Sequence, residues 1–118
     1  MHNIYLNLVV HWLDPNDYTR RFVSSNEQFY SCPRILLSNK EYLQDCIVNF
    51  LKNNTSVLSP ETIYTNLVLS KQISYTELDL VYNLVLPYDT KIIGSTYFLQ
   101  TYNLAIINPY ARKAIQYI

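Results

Sequence analysis

The chain has 118 residues, the length of one domain, so we expect residues 1–118 to fold as a single unit. Nine Lys and Arg residues balance nine Asp and Glu residues, and this zero net charge removes the long-range attraction toward nucleic acid and anionic membranes. The sequence contains a single glycine, Gly94, so it cannot form the glycine-rich loops that hold phosphate groups. A chain of this size with 49% hydrophobic residues can bury a core without disulfides or metal ions.

The N-terminal segment alternates in hydrophobicity over residues 3–13. Its even positions, from Ile4 to Trp12, are all apolar, whereas its odd positions include Asn7 and His11. This period of two predicts a strand with one apolar face and one mixed face. The segment lacks the features of a signal peptide, and no stretch of the chain is long enough to span a membrane, so we expect a cytoplasmic protein.

The next segment carries weaker signals. It predicts a turn or two of helix over residues 18–22, then a polar loop over 23–34 that ends in a Cys-Pro pair. A short buried strand is predicted over 34–37.

Three helix-start signals then predict three successive helices. An S-x-x-E capping box begins the first, over residues 39–52, where apolar residues recur at helical spacing. A Ser-Pro pair begins the second, over 60–69, although its β-branched residues also suit a strand. A second S-x-x-E motif begins the third, over 75–86, with a strand over 79–86 as the alternative.

The C-terminal part predicts β-structure followed by a helix. Gly94 can adopt the positive φ that a tight turn needs, so we expect a hairpin with arms at 91–93 and 96–100. A further strand is predicted at 104–107. An Asn-Pro pair then caps a final helix over 109–118.

These elements predict a small α+β domain with an N-terminal strand, three to four helices, a C-terminal β-hairpin and a terminal helix. Three helices followed by a hairpin, over residues 38–101, resemble a winged helix-turn-helix layout in topology. That resemblance implies DNA binding through the third helix. This helix carries Glu77 and Asp79 and no basic residue, so we expect that duplex DNA is not a partner.

No motif for catalysis or for metal binding stands out in the sequence. His11 could activate Cys32 or Cys46 as a nucleophile, but the spacings match no family pattern. We therefore expect two free, buried thiols, no metal site and no cofactor. Two carboxylate pairs are interpreted as loop and capping residues: Asp14 with Asp17, and Glu77 with Asp79.

Twelve tyrosines and a low charged fraction of 15% favour contacts between proteins. The preferred hypothesis is a non-catalytic intracellular interaction or regulatory module, of the kind that viruses and mobile elements use as accessory proteins. We expect it to form a homodimer. The predicted interaction surface lies on the terminal helix, at Tyr110, Ile115, Tyr117 and Ile118.

Two alternative functions remain open. One is a winged-helix-like regulator that binds nucleic acid through Arg20, Arg21, Arg112 and Lys113. The other is a small hydrolase, which a deep polar pocket around His11 would favour.

Overall fold

The computed structural model describes residues 3–25, 31–37, 41–100 and 104–116. Within these ranges the chain forms a six-stranded mixed sheet with helices on both faces. The strands are β1 (Asn3–Leu13), β2 (Arg20–Ser25), β3 (Arg34–Leu36), β4 (Tyr64–Gln72), β5 (Glu77–Val85) and β6 (Tyr97–Gln100). The helices are α1 (Leu43–Asn54), α2 (Leu104–Ile107) and α3 (Pro109–Ile115), and Pro60–Thr62 forms a turn of 3-10 helix.

The strand order is β4-β5-β1-β2-β6, and β3 pairs with β1. The central strands β1 and β5 are parallel, in a register that runs from Asn3 opposite Glu77 to His11 opposite Val85. The other strand pairs among the described residues are antiparallel. Parallel neighbours need a long crossover connection, and here the connection contains α1.

Apolar residues cover both faces of the central strands. On one face the even residues of β1 pack against the buried side of α1, which consists of Cys46, Ile47, Phe50 and Leu51. On the other face Val9 and Val81 pack against Ala111 and Ala114 of α3, all four side chains being fully buried. Alanine lets α3 approach the sheet closely, which brings the polar residues of that face within reach of the helix.

The predicted helices over 60–69 and 75–86 are wrong. The chain forms β4 and β5 there, after the single 3-10 turn. In β5 the odd residues Val81 and Val85 are apolar as well as the even ones, so its sequence also satisfies helical spacing. The second S-x-x-E motif forms the turn between the two strands, because Ser74 Oγ accepts a bond from the amide of Thr76.

Three other local predictions are also wrong. The segment predicted as a helical turn and loop contains β2, which pairs with β1. The predicted strand at 104–107 is the short helix α2. Gly94 adopts a φ of +81°, as expected, but the hairpin does not form, because β6 pairs with β2 instead of with residues 91–93.

The predicted strand over 3–13 is confirmed as β1. The predicted strand at 34–37 forms as β3, but it is not buried as expected, since Arg34 and Leu36 are exposed. The helix predicted over 39–52 is α1, which begins at Leu43; residues 38–40 of its capping box lie outside the described residues. Asn108 caps α3 as expected, since its Oδ1 accepts bonds from the amides of Tyr110 and Ala111. The predicted α+β arrangement with three to four helices and a winged-helix layout is nevertheless wrong, because a mixed six-stranded sheet dominates the fold.

None of the helices among the described residues is long and apolar enough to cross a membrane.

Candidate functional site

A row of buried polar side chains runs across the sheet beneath α3. The odd residues of β1 and β5 face this helix, because successive side chains of a strand point to opposite faces. The row comprises Asn7 and His11 of β1 with Asp79 and Asn83 of β5, each at most 4% exposed. Buried polar groups need hydrogen-bond partners, so their contacts define what this face can do.

A cavity of about 180 Å³ opens at the beginning of α3, at one end of this row. Asn7 and Asp79 form part of its wall on the sheet side, and Asn108 and Tyr110 line it from the helix side. The segment before β3 completes the wall with Ser31, Cys32 and Arg34. We call this the Asp79 cavity.

Asp79 is the centre of the polar contacts around the cavity. Its Oδ1 accepts a bond from Arg34 Nη2 at 3.0 Å, and its Oδ2 accepts a bond from the Tyr110 hydroxyl at 2.8 Å. The Arg34 guanidinium also lies 3.5 Å from the centroid of the Tyr5 ring and 3.8 Å from a carboxylate oxygen of Glu77. These contacts hold both the carboxylate and the guanidinium in fixed positions.

The ionisation of the neighbouring groups follows from burial. Burial, and then the bond to Asp79, raise the pKa of Tyr110 to about 12, so its hydroxyl stays protonated and donates. Burial raises the pKa of Cys32 to about 12. Burial raises the pKa of Cys46 to about 11, with a further contribution from Glu41. Both cysteines are free and buried, as predicted, and remain thiols at neutral pH.

His11 belongs to a second network at the other end of the row. Its Nδ1 accepts a bond from Arg20 Nη1 at 2.9 Å, and its Nε2 bonds Asn83 Oδ1. Asn83 in turn donates to the carbonyl of Ala114 in α3. Because both ring nitrogens are engaged and both thiols are protonated, the His–Cys pair considered from the sequence has no activated form here.

The basic residues proposed for nucleic-acid contact do not form a joint surface in β2. Arg20 and Arg21 are neighbours on a strand and point to opposite faces. Arg20 bonds His11, whereas Arg21 forms salt bridges with Asp14 and Asp17. In α3, Arg112 donates to the carbonyl of Ala105. Lys113 lies next to Arg112 on this helix and is half-buried.

The predicted interaction residues of the terminal helix have different roles. Tyr110 bonds Asp79 and lines the cavity, and Ile115 packs against the apolar cluster beneath α3. Tyr117 and Ile118 lie outside the described residues.

Sequence reasoning missed Arg34 and the central position of Asp79. The sequence places Asp79 beside Glu77 in a predicted helix, where a structural role is expected. The signal that could have found it is its position two residues before Val81, which in a strand puts Asp79 on the same face as a buried apolar residue.

No group of three or more His, Cys, Asp and Glu side chains among the described residues is placed to hold a metal ion. Asp45, the single acidic residue of α1, is exposed.

No protein-family model matches this chain, and no curated protein matches its sequence. Its fold, however, is similar to that of solved Nudix structures. Escherichia coli dihydroneopterin triphosphate pyrophosphohydrolase matches with a TM-score of 0.64 and 10% identity, over 100% of this chain and 97% of that chain. The NUDIX domain of Shewanella oneidensis NrtR, complexed with ADP ribose, matches with a TM-score of 0.61 and 11% identity, over 99% and 88%.

A MutT/nudix family protein from Enterococcus faecalis matches with a TM-score of 0.62 and 11% identity, over 85% of this chain. This chain spans only 43% of the length of that protein. The fold of the chain is therefore Nudix-like.

These neighbours overturn the preferred functional hypothesis. With a Nudix-like fold, the expectations of a non-catalytic interaction module, of a viral or accessory protein and of a winged-helix regulator are wrong. Net charge and tyrosine content are properties of composition, and neither reports on the topology of a fold. Self-association, the poor affinity for duplex DNA and the cytoplasmic location stay predictions.

Proposed function

We propose that this chain is a small hydrolase that cleaves a phosphoanhydride bond in a phosphorylated small molecule. The observation that supports this most is the match in fold, over nearly the whole chain, to a pterin triphosphate pyrophosphohydrolase and to a Caenorhabditis elegans Ap4A hydrolase. A third match contains bound ADP ribose. The three compounds differ in their organic groups and share a phosphoanhydride, which is why the proposal names that bond.

The Asp79 cavity is the proposed place for one end of the substrate. It is concave, it lies between the sheet and a helix, and its wall combines an aromatic ring with converging polar groups, as small-molecule sites do. Arg34 and Asp79 are held there by several contacts each, so the site is formed before a ligand arrives. A preformed site saves the ordering entropy that binding would otherwise cost.

A divalent cation commonly assists phosphoanhydride hydrolysis by neutralising phosphate oxygens, and in proteins such a cation is held largely by carboxylates. The described residues do not fit a metal centre held by the protein alone, because no three of their His, Cys, Asp and Glu side chains converge. We therefore assign no metal ligand, and the assay below varies the cation.

The test is a turnover assay with purified protein and three compounds: ADP ribose, Ap4A and dihydroneopterin triphosphate. Each is incubated with Mg²⁺, with Mn²⁺ or with a chelator, and products are separated by anion-exchange chromatography. We expect a new phosphate-bearing product from at least one compound. A mock purification from cells without the gene is the control for contaminating hydrolases. A folded protein that cleaves none of the compounds under any cation condition would contradict the proposal.

A further inference from the structure

We propose that a second cavity, at the carboxyl ends of the parallel strands β1 and β5, binds a small organic cation in which an ammonium group is attached to a compact apolar group. We call it the strand-end cavity. It lies between two segments, residues 56–63 and 87–90, and none of its described lining residues belongs to the Asp79 cavity. The inference therefore goes beyond the proposed function.

The strand-end cavity lies where the sheet topology favours a ligand site. The first segment connects α1 to β4, and the second follows β5. Because β4 begins at Tyr64 opposite Val85, where β5 ends, both segments meet at the same edge of the sheet. Ligands of sheets with parallel strands bind outside the carboxyl ends of those strands. The volume of about 490 Å³ lies within the range of about 300–1,000 Å³ that is typical of small-molecule sites.

Hydrogen bonds fix the two segments relative to each other. The amide of Ser56 donates to the carbonyl of Lys91 at 2.9 Å, and the amide of Lys91 donates to Ser56 Oγ at 2.8 Å. Within the second segment the amide of Thr90 donates to the carbonyl of Pro87 at 3.1 Å. The walls are thus formed before a ligand arrives, which saves the ordering entropy that binding would otherwise cost.

One side of the cavity is apolar. Val57 and Ile63 are half-buried and pack against the core cluster between α1 and the sheet, and Pro87 lines the same space. Leu58 also belongs to the lining and is 98% exposed, so the cavity opens directly to solvent. An apolar group that enters displaces water from these side chains, which is favourable. This wall selects a ligand with a compact apolar part.

The charge around the cavity selects a cation. Among the described lining residues Asp89 carries the charge, whereas the neighbouring Lys91 is exposed and lies outside the described lining. Helix α1 ends at Asn54, just before the first segment, and the carbonyl end of a helix carries a partial negative charge. Both features repel phosphate and carboxylate groups and attract a positive group.

An ammonium group suits this site better than a metal ion. Proteins hold divalent cations largely through converging carboxylates, and no three His, Cys, Asp or Glu side chains converge among the described residues. An ammonium group has N–H donors and needs only acceptors. The Asp89 carboxylate is one acceptor. The Thr62 hydroxyl donates to the carbonyl of Ser59 at 2.8 Å, so toward a ligand its oxygen acts as an acceptor as well.

A ligand series that differs only in charge tests this inference. The probes are 2-phenylethylamine, 2-phenylethanol and phenylacetate, which share a phenyl ring and carry a positive, a neutral and a negative group. Each is titrated into ¹⁵N-labelled protein at neutral pH and low ionic strength, and the amide chemical shifts report binding. We expect the amine to bind about fivefold more tightly than the alcohol, the effect of one solvent-accessible ion pair, and phenylacetate to bind most weakly. The shift changes should centre on residues 56–63 and 87–90.

Two variants locate the charge effect. Asp89→Asn should abolish the preference for the amine over the alcohol. Asp45→Asn is the matched control, because it removes the same charge from an exposed position in the first turn of α1, outside the described lining, and should keep the preference. Both positions are exposed, so both variants should unfold at the same midpoint as the natural chain.

Equal or weaker binding of the amine relative to the alcohol would overturn the inference, as would a preference that survives in Asp89→Asn. Shift changes confined to other parts of the protein, or no binding of any probe, would overturn it as well. The turnover assay does not depend on any of these results, so failure here is distinguishable from failure of the proposed function.

Discussion

His11 is a fully buried residue whose ionisation is coupled to folding. Burial lowers its pKa from 6.5 to about 4; the bond to Asn83 opposes this shift, and the nearby Arg20 charge adds to it. A proton on Nδ1 would remove the acceptor for Arg20 and place two cations side by side. The folded state therefore favours neutral His11.

We expect the free energy of unfolding to fall as the pH drops from about 6.5 to about 4. In this window the unfolded imidazole binds a proton and the folded one does not, so acid favours the unfolded state. The loss reaches at most about 3 kcal/mol, at 1.36 kcal/mol for each pH unit between the two pKa values. Urea titrations at several pH values measure it. His11→Phe, which cannot titrate, should flatten the curve in this window, and an unchanged curve would refute the assignment.

Tyr110→Phe should destabilise the protein by about 1–3 kcal/mol, because it leaves one oxygen of the buried Asp79 carboxylate without its donor. Tyr75→Phe is the matched control, since Tyr75 is 90% exposed and should change stability by less than about 0.5 kcal/mol. Thermal unfolding of both variants gives the comparison. Equal midpoints would show that the bond between Tyr110 and Asp79 contributes nothing measurable.

Local sequence patterns do not show that the residues of the Asp79 cavity come together. Arg34 and Asp79 are 45 positions apart and meet because β3 and β5 pair with opposite sides of β1. Strand order and register depend on contacts between distant segments, which no local pattern encodes. By contrast, the alternation in β1 does place Asn7 and His11 on the mixed face, so half of the polar row could be predicted.

The helix α3 is held on the sheet by the small apolar residues of its buried face. Ala111 and Ala114 are fully buried against the sheet, and Ile115 at the edge of this contact is half-buried. A helix of seven residues is too short to be stable alone in water, so this docking and the Asn108 cap maintain it. The contact between α3 and the sheet is intramolecular.

Ile115→Ala should cost about 1–2 kcal/mol, less than full burial would imply, since the side chain keeps part of its contact with water. The shift in the unfolding midpoint should be the same at low and high protein concentration, because α3 packs on its own sheet. Gln116→Ala, at the exposed neighbouring position, is the control and should be neutral. A cost that depends on protein concentration would instead indicate contact with a second copy.

Local patterns identified β1 and α3 but failed for β5, although β1 and β5 are both covered on two faces. The strand β1 has a mixed face, and α3 has a capping residue, so both could be predicted. In β5 the buried residues alternate on two faces, and Leu78, Val81, Tyr82 and Val85 then mimic a helical stripe. Only pairing with β1 and β4 resolves that ambiguity, and pairing is a property of the sheet.

At the scale of the whole molecule, we expect self-association. Zero net charge removes repulsion between copies, and the edge strand β4 exposes Tyr64 and Leu67. Light scattering at about 50 micromolar should give a mass above the 13.9 kDa of one chain, because mass action favours assembly at such concentrations. A monomer at that concentration would contradict this expectation.

Under the function proposed above, the Nudix-like sheet presents a substrate site beneath α3 that Asp79 organises. The most direct measurement is kcat/KM for the cleaved substrate in three proteins: the natural chain, Asp79→Asn and Glu77→Gln. We expect Asp79→Asn to lose at least about tenfold in kcat/KM, because it removes one acceptor from a buried site, and Glu77→Gln to stay within about threefold of the natural chain. Full activity in a folded Asp79→Asn protein would contradict the claim.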